Sequence, residues 1–138
     1  MRDGEAIHSM RAPEAVGPYP HAKRAGNLVF LSGVGPRQKG STVIPGVEPF
    51  DFEIQCRACF ENVRFVVADA GLPWTSVVDV TVFLTNMKRD FATYNRIYAE
   101  YFAGAGNPGP ARTTIEVLSL PTPIAVEVKA ICLACEVR

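Results

Sequence analysis

Two charges interrupt apolar, β-branched runs near the C-terminus. In PARTTIEVLSLPTPIAVEV (110–128), Arg112 and Glu127 stand among Val, Ile, Thr and Leu on either side of a proline turn. A charge buried in a sheet without a partner is costly or titrates away from its usual value, so both residues need a reason to be there. A guanidinium can fork onto a substrate carboxylate, and a glutamate can take a proton or orient a water. The same two residues could equally form a cross-strand ion pair that braces a β-hairpin. Residue types and spacing leave both readings open.

Other candidates carry less. CRAC (56–59) and CLAC (132–135) are two CxxC pairs, and four thiolates can hold zinc tetrahedrally. Zinc knuckles need tight turns, however, and neither pair contains Gly or Pro. The first pair falls mid-helix and the second on a strand, where positions three apart face opposite ways. A redox CxxC opens a helix after a strand, which neither pair does. Small-residue packing accounts for these cysteines, and no metal site is expected. SGVGPRQKG has Gly33 and Gly35 but Gln38 at the third glycine position of the dinucleotide fingerprint, and more loop follows instead of a helix. His8 and His21 lie on a turn-rich segment without a second ligand at metal spacing, and a surface role is the default for His8. No serine sits in a G-x-S-x-G elbow.

The chain of 138 residues suits one domain with its own core. Fourteen basic residues balance fourteen acidic ones, which argues against the positive field that nucleic-acid binding requires. Apolar runs fall short of a membrane span, and MRDGEAIHSMR has no apolar signal core. A cytoplasmic protein with reduced thiols is expected, without nucleic-acid or membrane partners.

Residues 1–26 read as an irregular arm around GPYPHA, and 27–33 as a short apolar strand. Residues 34–49 read as a loop with room for one short strand. From 51 to 70, Ile54, Phe60, Val63, Val67 and Ala70 fall near helical spacing before Gly71 and Pro73. SVVDVTVFLT (76–85) reads as a buried strand. MKRDFATYNRIYAEYF (87–102) reads as a second helix with a stripe of Phe91, Tyr94, Tyr98, Tyr101 and Phe102. GAGNPGP (104–110) reads as a flexible connection. The order predicts an α+β sandwich: a mixed sheet with two helices on one face. In the last strand Ile124, Val126, Val128, Ala130 and Cys132 share one side, while Ala125, Glu127, Lys129 and Ile131 share the other. Two helices cover only one face, so the other must meet solvent or another subunit, and its mixed composition points to a homo-oligomer.

Read together, residues 12–33, 82–102 and 110–131 resemble the RidA-like family of reactive-intermediate deaminases. The shared features are the G-P-Y segment, the P-x-R-[ST] strand and the terminal L-P-x(4)-[VI]-E strand. The resemblance implies a chorismate-mutase-like fold and a homotrimer with its sites at subunit interfaces. It also implies cofactor-independent hydrolysis of enamine or imine acids to 2-oxo acids and ammonia. Arg112 falls at the family's carboxylate-binding arginine and Glu127 at its water-handling acid. Tyr19, Asn95 and Ser32–Gly33 match its other site positions. Two positions depart: Val34 follows Gly33 where Gln is frequent, which alters the pocket rim, and Thr114 stands where Cys is frequent. SGVGPR, VIPG and the second helix look most like the subgroup of 2-aminomuconate deaminases of aromatic-acid catabolism. That substrate carries a carboxylate at each end, and Arg37 is the candidate for the distal one. A broad 2-iminoacid deaminase and a non-catalytic trimeric binding or chaperone-like protein are the rival readings.

Overall fold

The computed structural model describes residues 2–104 and 109–134. Most of the GAGNPGP connection, and Cys135 of the second CxxC pair, lie outside the described residues. Three short strands come first: β1 (Ala6–Ile7), β2 (Ala22–Ala25) and β3 (Leu28–Leu31). Helix α1 (Phe52–Asp69), strand β4 (Val77–Leu84), helix α2 (Met87–Phe102) and strands β5 (Ala111–Glu116) and β6 (Val126–Leu133) follow. Both helices start where a side chain can serve the free backbone amides of the first turn. Asp51 Oδ1 accepts from the Ile54 amide at 3.1 Å, and Asn86 Oδ1 from the Arg89 amide at 3.0 Å. Helix α1 stops at Gly71, whose φ of +79° suits glycine, and the amides of Gly71 and Leu72 close the last turn onto Ala68 and Val67.

The six strands form one mixed sheet in the order β1-β2-β3-β6-β4-β5, with both helices on one face. Only β4 and β5 are parallel. Because α2 joins them, β5 must return to the starting end before it can pair with β4. The nine residues 117–125 then carry the chain across to the other edge of β4, where β6 pairs antiparallel to both β4 and β3. The sequence reading of 110–128 as a possible hairpin is therefore corrected: β5 and β6 never pair, and β4 lies between them.

The core lies between the sheet and the helices. Val126, Val128, Ala130 and Cys132 of β6 and Val80, Val82 and Leu84 of β4 face Cys56, Cys59, Phe60, Val63, Val66 and Val67 of α1 and Tyr94 and Ile97 of α2. The expected alternation of β6 holds, with Glu127, Lys129 and Ile131 on the uncovered face. Three expectations need correction. The arm is not wholly irregular: β1 and β2 lie within it, with β1 on β2 and β2 on β3. Loop 34–49 contains no strand, only a bridge between Val34 and Val128. Ile54 is exposed, because the position that α1 buries beside it is polar Gln55. Among the described residues, no helix is long and apolar enough to cross a membrane.

The three described cysteines behave as packing residues. Cys56, Cys59 and Cys132 are fully buried. Burial pushes the Cys56 thiol up to about 12 and Cys132 up to about 11, and holds Cys59 well above the ordinary value.

Gln55 fastens two loops to α1 from inside the protein. Its Nε2 donates to the Gly46 carbonyl at 2.9 Å, and its Oε1 accepts from the buried Ala125 amide at 2.8 Å. Gln55→Leu keeps the volume but orphans the Ala125 amide, while the Gly46 carbonyl keeps its 2.8 Å bond from the Asp51 amide. Denaturant unfolding should show a loss of roughly 1–3 kcal/mol, the cost of one buried unpaired group. A midpoint equal to wild type would mean that water reaches the Ala125 amide.

Candidate active site

The predicted site residues fall into two groups on opposite faces of the sheet. Arg112 lies opposite Val80 in β4, and Val80 faces the helices. Its guanidinium accordingly meets α2. Nη1 donates to Asn95 Oδ1 at 2.8 Å, and Cζ lies 4.7 Å from the Tyr98 ring centroid and 5.2 Å from that of Tyr94. Thr114, two residues further along the same side of β5, shares a 2.6 Å hydrogen bond with the Tyr94 hydroxyl. Among the described residues, no carboxylate pairs with Arg112. The result is an exposed cation held by two aromatic faces and one amide oxygen, with donors left for an anion.

Glu127 lies opposite Phe83 on the uncovered face. It is half-buried, and desolvation raises its pKa above the ordinary glutamate value. Among the described residues, no basic side chain pairs with it. Arg112 does not sit beside Glu127 within one chain, because β4 stands between them and the side chains leave the sheet in opposite directions. Gly33 closes over the carboxylate: a Cβ there would come within 2.6 Å of Glu127 Oε2. Only a residue without a side chain allows so close an approach.

The other predicted residues cluster on this second side. Tyr19, Ser32, Gly33 and Arg37 line one recess together with His21 and Pro13. Ser32 donates its hydroxyl to the Pro20 carbonyl at 2.7 Å and its amide to the His21 carbonyl at 3.0 Å, so the strand end and the arm are stitched together. The Tyr19 hydroxyl accepts from the Val16 amide at 3.2 Å. Arg37 reaches the recess because Asn62 of α1, itself buried, donates to the carbonyls of Gly35 and Arg37 at 2.8 and 2.6 Å. Its own Nη2 donates to the Glu14 carbonyl at 2.6 Å.

Sequence reasoning missed three contributors. Tyr94 and Tyr98 read as members of an apolar stripe, yet their rings also carry Arg112. The readable signal was their i,i+4 spacing around Asn95. His21 read as a lone histidine, yet it clasps the arm: Nδ1 accepts from the Ser9 amide at 2.9 Å, and Nε2 lies 2.7 Å from the Pro13 carbonyl.

Comparison with known proteins gives a consistent result. The sequence profile described as Endoribonuclease L-PSP matches residues 9–134. A RutC family protein of Pyrococcus horikoshii is 38% identical over 92% of this chain and 95% of its own length. TdcF of Escherichia coli, named as a candidate reactive intermediate deaminase, is 37% identical over 91% of this chain and 93% of its own. Its crystal structure with bound serine superposes with a TM-score of 0.83, covering 94% of this chain and 98% of that one at 35% identity. RidA from an Antarctic Psychrobacter gives a TM-score of 0.83 at 30% identity, over 94% of this chain and 98% of that one.

The contact between Gly33 and Glu127 generates a direct test. In Gly33→Ala the new methyl meets the movable end of a side chain, so stability should stay within about 0.5 kcal/mol of wild type. The carboxylate should be displaced, which carboxyl-carbon NMR of Glu127 would register as a changed chemical shift and titration midpoint. An unchanged Glu127 signal would show that the glutamate does not rest against Gly33.

Proposed function

The chain belongs to the Endoribonuclease L-PSP family, the family of the Rid reactive-intermediate (enamine/imine) deaminases, and from that premise we propose that it hydrolyses 2-aminomuconate to 4-oxalocrotonate and ammonia at a site shared between two copies of the chain. The observation that supports this reading is the division of charge. An uncompensated arginine on one face and a desolvated glutamate on the other cannot meet one small substrate within a single chain. A second copy, laying its Arg112 side against the uncovered face of the first, would bring them together. Such a contact joins unlike surfaces, which gives a ring where the rotation closes, and the family resemblance implies a closed homotrimer.

The chemistry uses only positioning and proton transfer, with no cofactor. Arg112 holds the carboxylate beside the amine-bearing carbon by a bidentate contact. The enamine takes a proton on carbon and becomes an imine, whose carbon is electrophilic. Glu127 takes a proton from water as the water oxygen attacks that carbon. Glu127 returns its proton to the nitrogen, which leaves as ammonia as the carbinolamine hydroxyl loses its proton and becomes the carbonyl of a 2-oxo acid. Tyr19, Asn95, Ser32 and Gly33 shape the pocket around these steps.

Shared sites make a mixing experiment decisive. Arg112→Ala and Glu127→Gln should each be nearly inert. The first should fail in binding, and the second should keep binding but lose roughly two to four powers of ten in turnover. Unfolded together and refolded as mixed rings, the two inert proteins should regain roughly a quarter of wild-type activity. That is the statistical share of interfaces joining an intact arginine to an intact glutamate. No recovery, with both variants folded and assembled, would place both residues in one chain's site. Full turnover by Glu127→Gln would leave a carboxylate-binding protein without this mechanism.

Arg37 decides how narrow the substrate range is. We assign it the distal carboxylate of 2-aminomuconate. Arg37→Ala should then raise KM for that dicarboxylate by about tenfold or more, with little change for a monocarboxylic imine, if the lost contact contributes roughly 1.5–3 kcal/mol. Its existing bond to the Glu14 carbonyl favours the rival reading, a broad 2-iminoacid deaminase. Equal effects on both substrates would support that rival.

A further inference from the structure

Arg112 sits on an edge strand, paired on one side only, with its guanidinium exposed. A long side chain at such a place loses rotamer freedom when it grips a ligand, and binding weakens accordingly. The surroundings of this arginine remove much of that freedom in advance. The Tyr98 ring lies beneath the guanidinium at 4.7 Å and the Tyr94 ring at 5.2 Å, while Asn95 Oδ1 takes one N–H. All three come from one turn of α2, so they move as a unit.

The two rings are themselves held. Phe91, Tyr94, Tyr98 and Phe102 form a continuous aromatic column along α2. Ring centroids lie 5.8 Å apart for Phe91–Tyr94, 6.0 Å for Tyr94–Tyr98 and 4.6 Å for Tyr98–Phe102. Phe60 of α1 closes on Tyr98 from the side at 6.1 Å. The Tyr94 hydroxyl is tied to Thr114 of β5, which fixes the spacing between helix and strand beside the arginine. The Tyr98 hydroxyl, by contrast, is buried and has no hydrogen-bond partner among the described residues. Packing alone would favour phenylalanine there, so the hydroxyl does not explain the residue's place, whereas the ring face does.

We propose that Tyr94 and Tyr98 are positioning residues: their ring faces fix the plane of the Arg112 guanidinium so that its free N–H pair is presented to a carboxylate before one arrives. This inference rests on the reading of Arg112 as the carboxylate anchor. It assigns the two tyrosines no contact with the reacting atoms. Loss of a ring face should weaken carboxylate capture and leave the chemical step alone, which is a KM effect with kcat preserved.

Tyr98 gives the cleaner test, because Tyr94 is fully buried and its truncation could unfold the chain. Pyruvate serves as the probe, titrated calorimetrically into wild type, Tyr98→Leu, Tyr98→Phe and Arg112→Ala, with thermal melts of each. The rotation rate of the Arg112 guanidinium, followed by nitrogen-15 NMR, reports its restraint directly. Tyr98→Phe keeps the ring, so it should bind pyruvate as wild type does and melt no lower. Tyr98→Leu should bind roughly three- to tenfold more weakly, the range expected for a lost cation–π contact, and its guanidinium should rotate faster. Unchanged binding by Tyr98→Leu would overturn the inference. So would equal losses in Leu and Phe, which would assign the effect to the hydroxyl. Wild-type affinity in Arg112→Ala would instead overturn the anchor reading itself, and the positioning role with it.

Discussion

A helix between two adjacent strands makes them parallel, and in this chain that constraint decides where charge can go. Because α2 joins β4 to β5, Arg112 emerges under α2 at the sheet's edge, among aromatic rings and away from half-buried Glu127. Because Glu127 falls opposite Phe83, between the inward-facing Val126 and Val128, its side chain leaves the sheet on the uncovered face. The crossover and the alternation of side chains along the strands together separate the two groups that the chemistry must unite. Everything proposed about assembly follows from that separation, since the shared site is the arrangement in which neither charge lacks a partner when substrate is bound.

The supports for each half are built by ordinary means. Buried Asn62 and Gln55 reach from α1 to loop carbonyls and amides that no strand satisfies. They substitute side-chain bonds for sheet bonds and give the connections fixed positions. His21 does the same for the arm that carries Tyr19. On the other side, the aromatic column of α2 replaces hydrogen bonding with ring packing. One half of the site is therefore wired by polar contacts and the other by π faces.

Much of this was legible from the residues. The two helices, the long strands and the alternation of β6 follow from periodicity and from Asp51, Asn86 and Gly71 at the helix ends, where local chemistry speaks for itself. The pairing partners of β5 and β6 did not, because a proline-containing connection looks alike whether it turns back at once or crosses a neighbouring strand. The short strands of the arm were hidden for a related reason. Ala6–Ile7 and Ala22–Ala25 have little strand character of their own and are ordered by β3 beside them. Arg112 and Glu127 could be nominated from their improbable setting, but their opposite directions could not be. The tyrosines were seen and misjudged, since a ring that fills a core and a ring that carries a cation have the same spacing.

The edge position of β5 has a consequence for solubility. An edge strand exposes a row of unpaired amides and carbonyls, and Thr113, Thr114 and Ile115 give this one the β-branched composition on which foreign strands pair. Arg112 and Glu116 bracket that stretch with opposite charges, and Glu116 is further engaged with the Met87 amide at 2.7 Å. The arginine is therefore a gatekeeper as well as an anchor. An apolar residue in place of Arg112 would leave Glu116 as the strand's one charge and lengthen the uncharged stretch of the edge, so the arginine has a use there apart from catalysis.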